Sequence, residues 1–195
     1  MDKISVFCEL LIEANKSTNL VSKNDEQKLM TRHVADSLKF AEFLTLNSQL
    51  STLNSKWADI GSGAGFPAIP LCIHLPQVKF YAIEPRKKRC EFLNHVKQKL
   101  DLRNFEIIQR KSETCGLKSM DFVSCRAVGS LEEDFDRAKK ILKPNGQFLT
   151  VKSKRIVDEL RKKNDKLLKK AKIWEYRLPQ EELEYAMIRI SILSL

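Results

Sequence analysis

The chain has 195 residues with 43% hydrophobic and 31% charged content, enough for one ordinary α/β domain with a core and a modest extension. No apolar run approaches the roughly 20 residues of a bilayer span, and the start Met-Asp-Lys-Ile-Ser-Val-Phe-Cys-Glu lacks a secretory signal pattern, so a cytoplasmic protein without membrane contact is expected. A net charge of +10 favours a polyanionic partner, and five cysteines (Cys8, Cys72, Cys90, Cys115, Cys125) without Cys-x-x-Cys spacing argue against disulfides or a metal site.

Ile4, Phe7, Cys8, Leu11 and Ile12 recur at helical spacing and predict an amphipathic helix over 3–14. A second helix is expected to start at an N-cap on Asn24 or Asp25 and to carry Leu29, Met30, His33, Val34, Ser37, Leu38 and Ala41. Residues 1–50 thus read as a helical cap, joined through the polar link 47–55 to a body over 51–195 and packed on it as one expected structural unit. That body alternates strand and helix. Strands are expected at 56–60, 78–84, 105–109, 120–125 and 147–152, and helices at 66–75, 86–100 and 131–142, the last stopped by Lys-Pro-Asn-Gly. A basic helix over 155–171 follows, then strands at 173–178 and 185–193 joined by an acidic turn. Five strand–helix units ending in a hairpin match a class I methyltransferase: a Rossmann-like, seven-stranded sheet with one antiparallel strand and, here, an N-terminal helical extension. A dehydrogenase domain more often continues with a sixth parallel strand and a separate substrate domain.

The body is organised around Trp57-Ala-Asp-Ile-Gly-Ser-Gly-Ala-Gly-Phe-Pro-Ala-Ile-Pro70. Gly61, Gly63 and Gly65 permit a sharp turn and close backbone approach to a ligand at the mouth of the next helix. The third glycine comes one residue too early for the dinucleotide pattern, and Asp59 precedes the first by two. That variant suits S-adenosyl-L-methionine, whose amino-acid end is cationic. Glu84 ends the second strand, where a carboxylate can accept both ribose hydroxyl hydrogens. Ser112 and Glu113 follow the third strand, placed to read an adenine edge, and Phe66 either lines the pocket or packs between helix and sheet. Arg126, after the fourth strand, reads as a holder of a carboxylate or phosphate, or as a structural salt bridge. Arg32 and Asp36 read first as an i, i+4 ion pair beside a half-buried His33. The run from Lys152 to Lys172 carries ten basic side chains against three acidic ones, either a solvated face or a phosphate-tracking surface.

Four segments in order, NLVS…RHVADSL, ADIGSGAGFPAIPL, RKSE and SCRAVGSL, resemble the bacterial small-subunit rRNA guanine-N7 methyltransferases, also called the glucose-inhibited division protein B family. The resemblance runs from about Asn19 to Ile190. It implies cofactor contacts at Gly61, Phe66, Ser112, Glu113 and Arg126, and substrate-facing roles for Asn19, Arg32, His33, Asp36 and Ser37. The loop departs from the family's Gly-x-Gly-Pro-Gly-Leu-Pro-Gly at Ala64, Phe66 and Ala68, and Ser153 replaces the glycine after Lys152. The reaction implied is direct in-line transfer of the methyl group of S-adenosyl-L-methionine to N7 of a specific guanine in 16S rRNA. That nitrogen carries a lone pair and no proton, so no general base is required. The partner implied is 16S rRNA within the small ribosomal subunit or an assembly intermediate, met by a monomer.

Other readings meet specific obstacles. Cytosine-C5 methylation needs a cysteine nucleophile, and Cys125 lacks the Asp-Ala-Pro-Cys context. Amino-methylation of adenine or cytosine wants an Asn/Asp-Pro-Pro-aromatic box, which is missing. A dinucleotide oxidoreductase conflicts with the early third glycine. A basic RNA-binding module with a vestigial cofactor pocket is the non-enzyme alternative.

Overall fold

The computed structural model describes residues 2–46, 54–126, 129–179 and 181–192. Most of the link 47–55, Ala127 and Val128 of the SCRAVGSL segment, and Gln180 of the acidic turn lie outside the described residues.

Seven strands form one sheet in the order β3-β2-β1-β4-β5-β7-β6. They are β1 (Lys56–Ile60), β2 (Lys79–Ile83), β3 (Phe105–Ile108), β4 (Met120–Arg126), β5 (Leu142–Ser153), β6 (Lys172–Arg177) and β7 (Glu184–Ser191). The first five run parallel, and β7 inserts antiparallel between β5 and β6. This is the expected seven-stranded mixed sheet, with its chain reversal at β1 sending β2 and β4 to opposite sides.

Alternation along the strands divides the core between two faces. Trp57, Phe80, Phe105 and Phe122 pack on one side, together with Phe7 and Leu11 of α1 (Lys3–Thr18), Phe40 and Leu44 of α3 (Ala35–Leu46), and Leu93 of α5 (Lys87–Lys99). Ala58, Ile60, Val123, Cys125 and Phe148 face the other side, against Leu131 and Ala138 of α6 (Leu131–Lys139) and Val157 of α7 (Lys154–Lys162). The N-terminal helices therefore share a core with the sheet. All five cysteines are free and buried, as small apolar residues. Among the described residues no helix is long and apolar enough to cross a membrane.

Local chemistry explains the element ends. Asp2 caps α1 through Oδ1, which accepts from the N–H groups of Ile4 and Ser5. Ser130 and Glu133 form a capping box at the start of α6.

Three expectations need correction. The second helical region starts at Ser22, not Asn24 or Asp25, because the Ser22 hydroxyl accepts from Asp25 N–H and caps the short α2 (Lys23–Glu26). A π-helical turn over Leu29–Val34 then precedes α3. The Lys-Pro-Asn-Gly segment does not stop α6, which ends at Lys139; it begins β5, with Asn145 at φ 62° and a register shift opposite Met120–Phe122. Hydrogen bonds from Asn145 N–H to Ile192 O and from Ile192 N–H to Gly146 O hold that irregular start. The basic helix is also shorter than expected. It ends at Lys162 before left-handed Asn164 (φ 59°), and Asp165 accepts from Leu167 and Leu168 N–H to start a separate 3₁₀ turn over Leu168–Lys170.

Candidate active site

Two cavities open at the carboxyl edge of the sheet. The first, of about 490 Å³, falls within the size of small-molecule sites. Gly61, Gly63 and Phe66 line it from the glycine loop, Glu84 from the end of β2, Ser112 and Glu113 from the turn after β3, and Arg126 from β4. The chain thus brings together seven of the nine predicted cofactor-side residues. Asp59 and Gly65 lie outside this lining.

The glycine loop has a steric reason for its composition. Gly61, Gly63 and Gly65 have φ of 73°, 54° and 96°, which side chains resist. A Cβ on Gly65 would lie 2.5 Å from Ile69 Cδ1, in the packed start of α4 (Ala68–His74). Gly65 is therefore a packing glycine behind the loop, and Gly61 and Gly63 form its open face.

Glu84, 2% exposed, braces this loop. Its Oε2 accepts from Gly63 N–H at 3.0 Å and its Oε1 from Arg86 N–H at 2.9 Å. Each carboxylate oxygen retains a lone pair for a ligand hydroxyl. Glu113, in the turn after the neighbouring strand β3, lies 3.5 Å from Arg137 Nε. Its own backbone N–H, with smaller help from Ser112 and Arg137, holds its carboxyl below the ordinary glutamate value.

Asp59 sits beneath the cleft in a buried relay. Trp57 Nε1 donates to Ser124 Oγ at 3.0 Å, and Ser124 Oγ donates to Asp59 Oδ1 at 2.7 Å. Asp59 Oδ2 is buried without a hydrogen-bond partner, and burial pushes this carboxyl up to about 7. An orphaned carboxyl oxygen below the loop fits a ligand with a cationic amino group.

The second cavity, of about 540 Å³, is lined by Arg32, His33, Asp36, Arg126, Lys152 and Tyr185 among others. Here the expected Arg32–Asp36 ion pair is overturned. Arg32 Nη1 pairs with Asp25 Oδ1 at 3.1 Å, while Asp36 Oδ2 pairs with Arg126 Nη1 at 3.1 Å. The π turn at Leu29–Val34 changes the helical register between them and separates the two side chains. The Tyr176 hydroxyl donates to the other Asp36 oxygen, and burial with the adjacent Asp36 charge raises that phenol's pKa.

His33 is held at Nδ1, while its buried Nε2 approaches Asp25 without a hydrogen bond. Nδ1 accepts from Arg126 Nη2 at 3.0 Å, leaving Nε2–H facing Asp25 Oδ1 at 3.1 Å. Burial, reinforced by the Arg126 charge, pushes His33 below its ordinary value despite Asp25. The Phe66 ring lies tilted against His33 at 5.2 Å and carries the Arg126 guanidinium at 5.3 Å. Arg126 therefore forms part of both cavity walls while bonded to Asp36 and His33, combining the two readings of it.

Asn19 and Ser37 stand apart from this cluster. Asn19 ends α1 at φ 48° and lines a neighbouring surface groove, while the fully buried Ser37 hydroxyl donates to His33 O at 2.6 Å.

Sequence reasoning missed Arg86, Arg89, Lys111 and Arg137 on the first cavity and Tyr185 on the second. Arg86 and Arg89 follow Glu84 closely enough to have been suspected from position. Arg137 and Tyr185 reach the site only through the packing of α6 and β7, which leaves no local signal.

The model of the rRNA small subunit methyltransferase G family matches residues 1–182. A small subunit rRNA methyltransferase G of Helicobacter pylori is 38% identical over 155 residues, which cover 79% of this chain and 83% of that protein. Its Staphylococcus carnosus counterpart is 35% identical over 81% of this chain, which spans 66% of that relative's length. Among solved structures, a SAM-dependent O-methyltransferase of Thermotoga maritima shares the fold at a TM-score of 0.61 and 20% identity, covering 83% of this chain and 66% of that one. The fold is that of class I S-adenosylmethionine-dependent methyltransferases, and with the family model spanning nearly its whole length the chain belongs to the rRNA small subunit methyltransferase G family.

Proposed function

We propose that this protein transfers the methyl group of S-adenosyl-L-methionine to N7 of a specific guanine in 16S rRNA. The observation that carries the reading is Arg126, one guanidinium shared by the glycine-loop cleft and the second cavity. Two ligands held on either side of it stand next to each other, and proximity supplies most of what such a transfer needs.

On this reading Gly61, Gly63 and Phe66 cradle the cofactor, with Gly65 shaping the loop from behind. Glu84 receives the ribose, Ser112 and Glu113 face the adenine, and Asp59 answers the amino group from below. The cofactor supplies a methyl group on a sulfonium, which guanine N7 takes in line. Arg32, His33 and Asp36 position the target base. His33, buried and with Nδ1 facing the Arg126 guanidinium, stays neutral, in keeping with a reaction that has no proton to remove. Asp36 already answers Arg126 and Tyr176, so its part is to aim Arg126 as much as to face the cationic base that forms. The substrate is 16S rRNA in the small subunit or an assembly intermediate, and the protein acts as a cytoplasmic monomer.

The test is methyl transfer from labelled S-adenosylmethionine to small subunits that lack the modification. Label in 16S rRNA is the expected result; cofactor binding with no label in 16S rRNA overturns the substrate, and no cofactor binding overturns the whole reading.

A further inference from the structure

The first cavity holds more positive charge than its proposed cofactor can use. Arg86, Arg89, Lys111, Arg126 and Arg137 line it, against Glu84 and Glu113. S-adenosylmethionine is itself a net cation, with a sulfonium and an ammonium against one carboxylate. One guanidinium answers that carboxylate; further cations repel the ligand.

The surplus is not consumed by the protein's own acids. Arg89 lies 3.7 Å from Glu84, Arg137 pairs with Glu113 and Asp134, and Arg126 pairs with Asp36. Arg86 and Lys111 are exposed, and among the described residues neither has an acid within ion-pair distance. They follow two neighbouring strands, Arg86 at the N-cap of α5 after β2 and Lys111 before the Ser112–Thr114 turn after β3. The basic run from Lys152 to Lys172, which begins within β5, is only partly neutralised but lines none of this cavity. Lys152 is buried on Asp134, Lys154 pairs with Glu175 and Glu184, and Arg161 with Asp158 and Glu175.

We infer that Arg86 and Lys111 form a phosphate track, over which the RNA backbone beside the target base crosses the mouth of the cofactor cleft. The inference rests on the RNA-methylating reading above and adds the path of the strand. It has a physical corollary: RNA phosphates neutralise a rim that repels the cationic cofactor, so RNA and cofactor favour each other's binding.

The test compares full-length wild type with the Arg86→Gln/Lys111→Gln double variant in two titrations. In the first, a 16S rRNA transcript is bound over a range of salt concentrations. Each phosphate contact contributes roughly 0.7 to 0.9 to the log–log salt slope, so the variant's slope should be shallower by about 1.4 to 1.8. In the second, S-adenosylmethionine is bound without RNA, and the variant's affinity should be unchanged or tighter. An unchanged salt slope overturns the track, and so does a variant that loses cofactor affinity, since the two cations would then serve the cofactor. If wild type binds no 16S rRNA at low salt, the functional reading itself fails and the track fails with it.

Discussion

Arg126→Ala should destabilise the protein by about 3 kcal/mol and at the same time release His33. In the native protein the guanidinium holds Asp36 at 3.1 Å and His33 Nδ1 at 3.0 Å, and lies over the Phe66 ring. The Asp36 side chain is 7% exposed, so removal of Arg126 leaves a buried carboxylate with the Tyr176 hydroxyl as its remaining partner. Breaking a buried pair costs roughly 3 to 5 kcal/mol, and hydrogen bonds to charged groups roughly 1.5 to 3 each. Because the Arg126 side chain is 18% exposed, solvent takes up part of this and the lower end applies. After burial, the Arg126 charge is the main influence lowering His33, so its loss should move the imidazole titration upward. Urea unfolding gives the first quantity and the imidazole ring signals across pH give the second. Arg126→Lys should rescue little, since an ammonium cannot span Asp36 and His33 as a planar fork does. A stability loss below about 1 kcal/mol with an unmoved His33 titration would refute this account of the cluster.

Three further outcomes follow from the same geometry. Asp59 ionises in the unfolded chain near its ordinary 3.8 but in the folded protein only near 7, so its contribution to stability is present below that ordinary value and is lost as pH rises through about 7. Stability curves of wild type and Asp59→Asn should therefore differ by this falling component, up to about 1.4 kcal/mol per pH unit, whereas parallel curves would show that Asp59 titrates normally. Asp134→Ala leaves Lys152 buried with Gly129 O as its acceptor, and should cost about 3 kcal/mol in denaturant unfolding, while Asp134→Leu/Lys152→Met should recover most of that. Ser130→Ala removes half of a capping box and should lower stability by about 1 kcal/mol, with methyl transfer intact.

The sheet was legible in the sequence because β1, β2, β4 and β7 are largely buried runs bounded by polar or turn residues. Lys56–Ile60 is the strand that the pattern predicts, and the others shift by only a few residues, apart from the longer start of β5. Elements governed by single backbone positions were not legible. Asn164 in the left-handed region divides the basic run, and a bulge absorbs Pro144 into β5. At the site, the loop and the acids Glu84 and Glu113 could be found because each follows a strand whose carboxyl end faces the cleft. The ion-pair partners could not. Arg32 and Asp36 are four apart, which predicts a pair on a regular α-helix, and only the π turn explains why each chooses a distant partner. Arg137 and Tyr185 enter through tertiary packing alone.

On the proposed function, the two cavities meeting at Arg126 bring a sulfonium methyl to a guanine N7. The most direct measurement is to methylate unmodified small subunits with the protein, extract the 16S rRNA and cleave it chemically at N7-methylguanine. One new cleavage site is expected, at a single guanine, dependent on both S-adenosylmethionine and Arg126. Methyl label recovered on another atom or another base, or spread over many guanines, would contradict it.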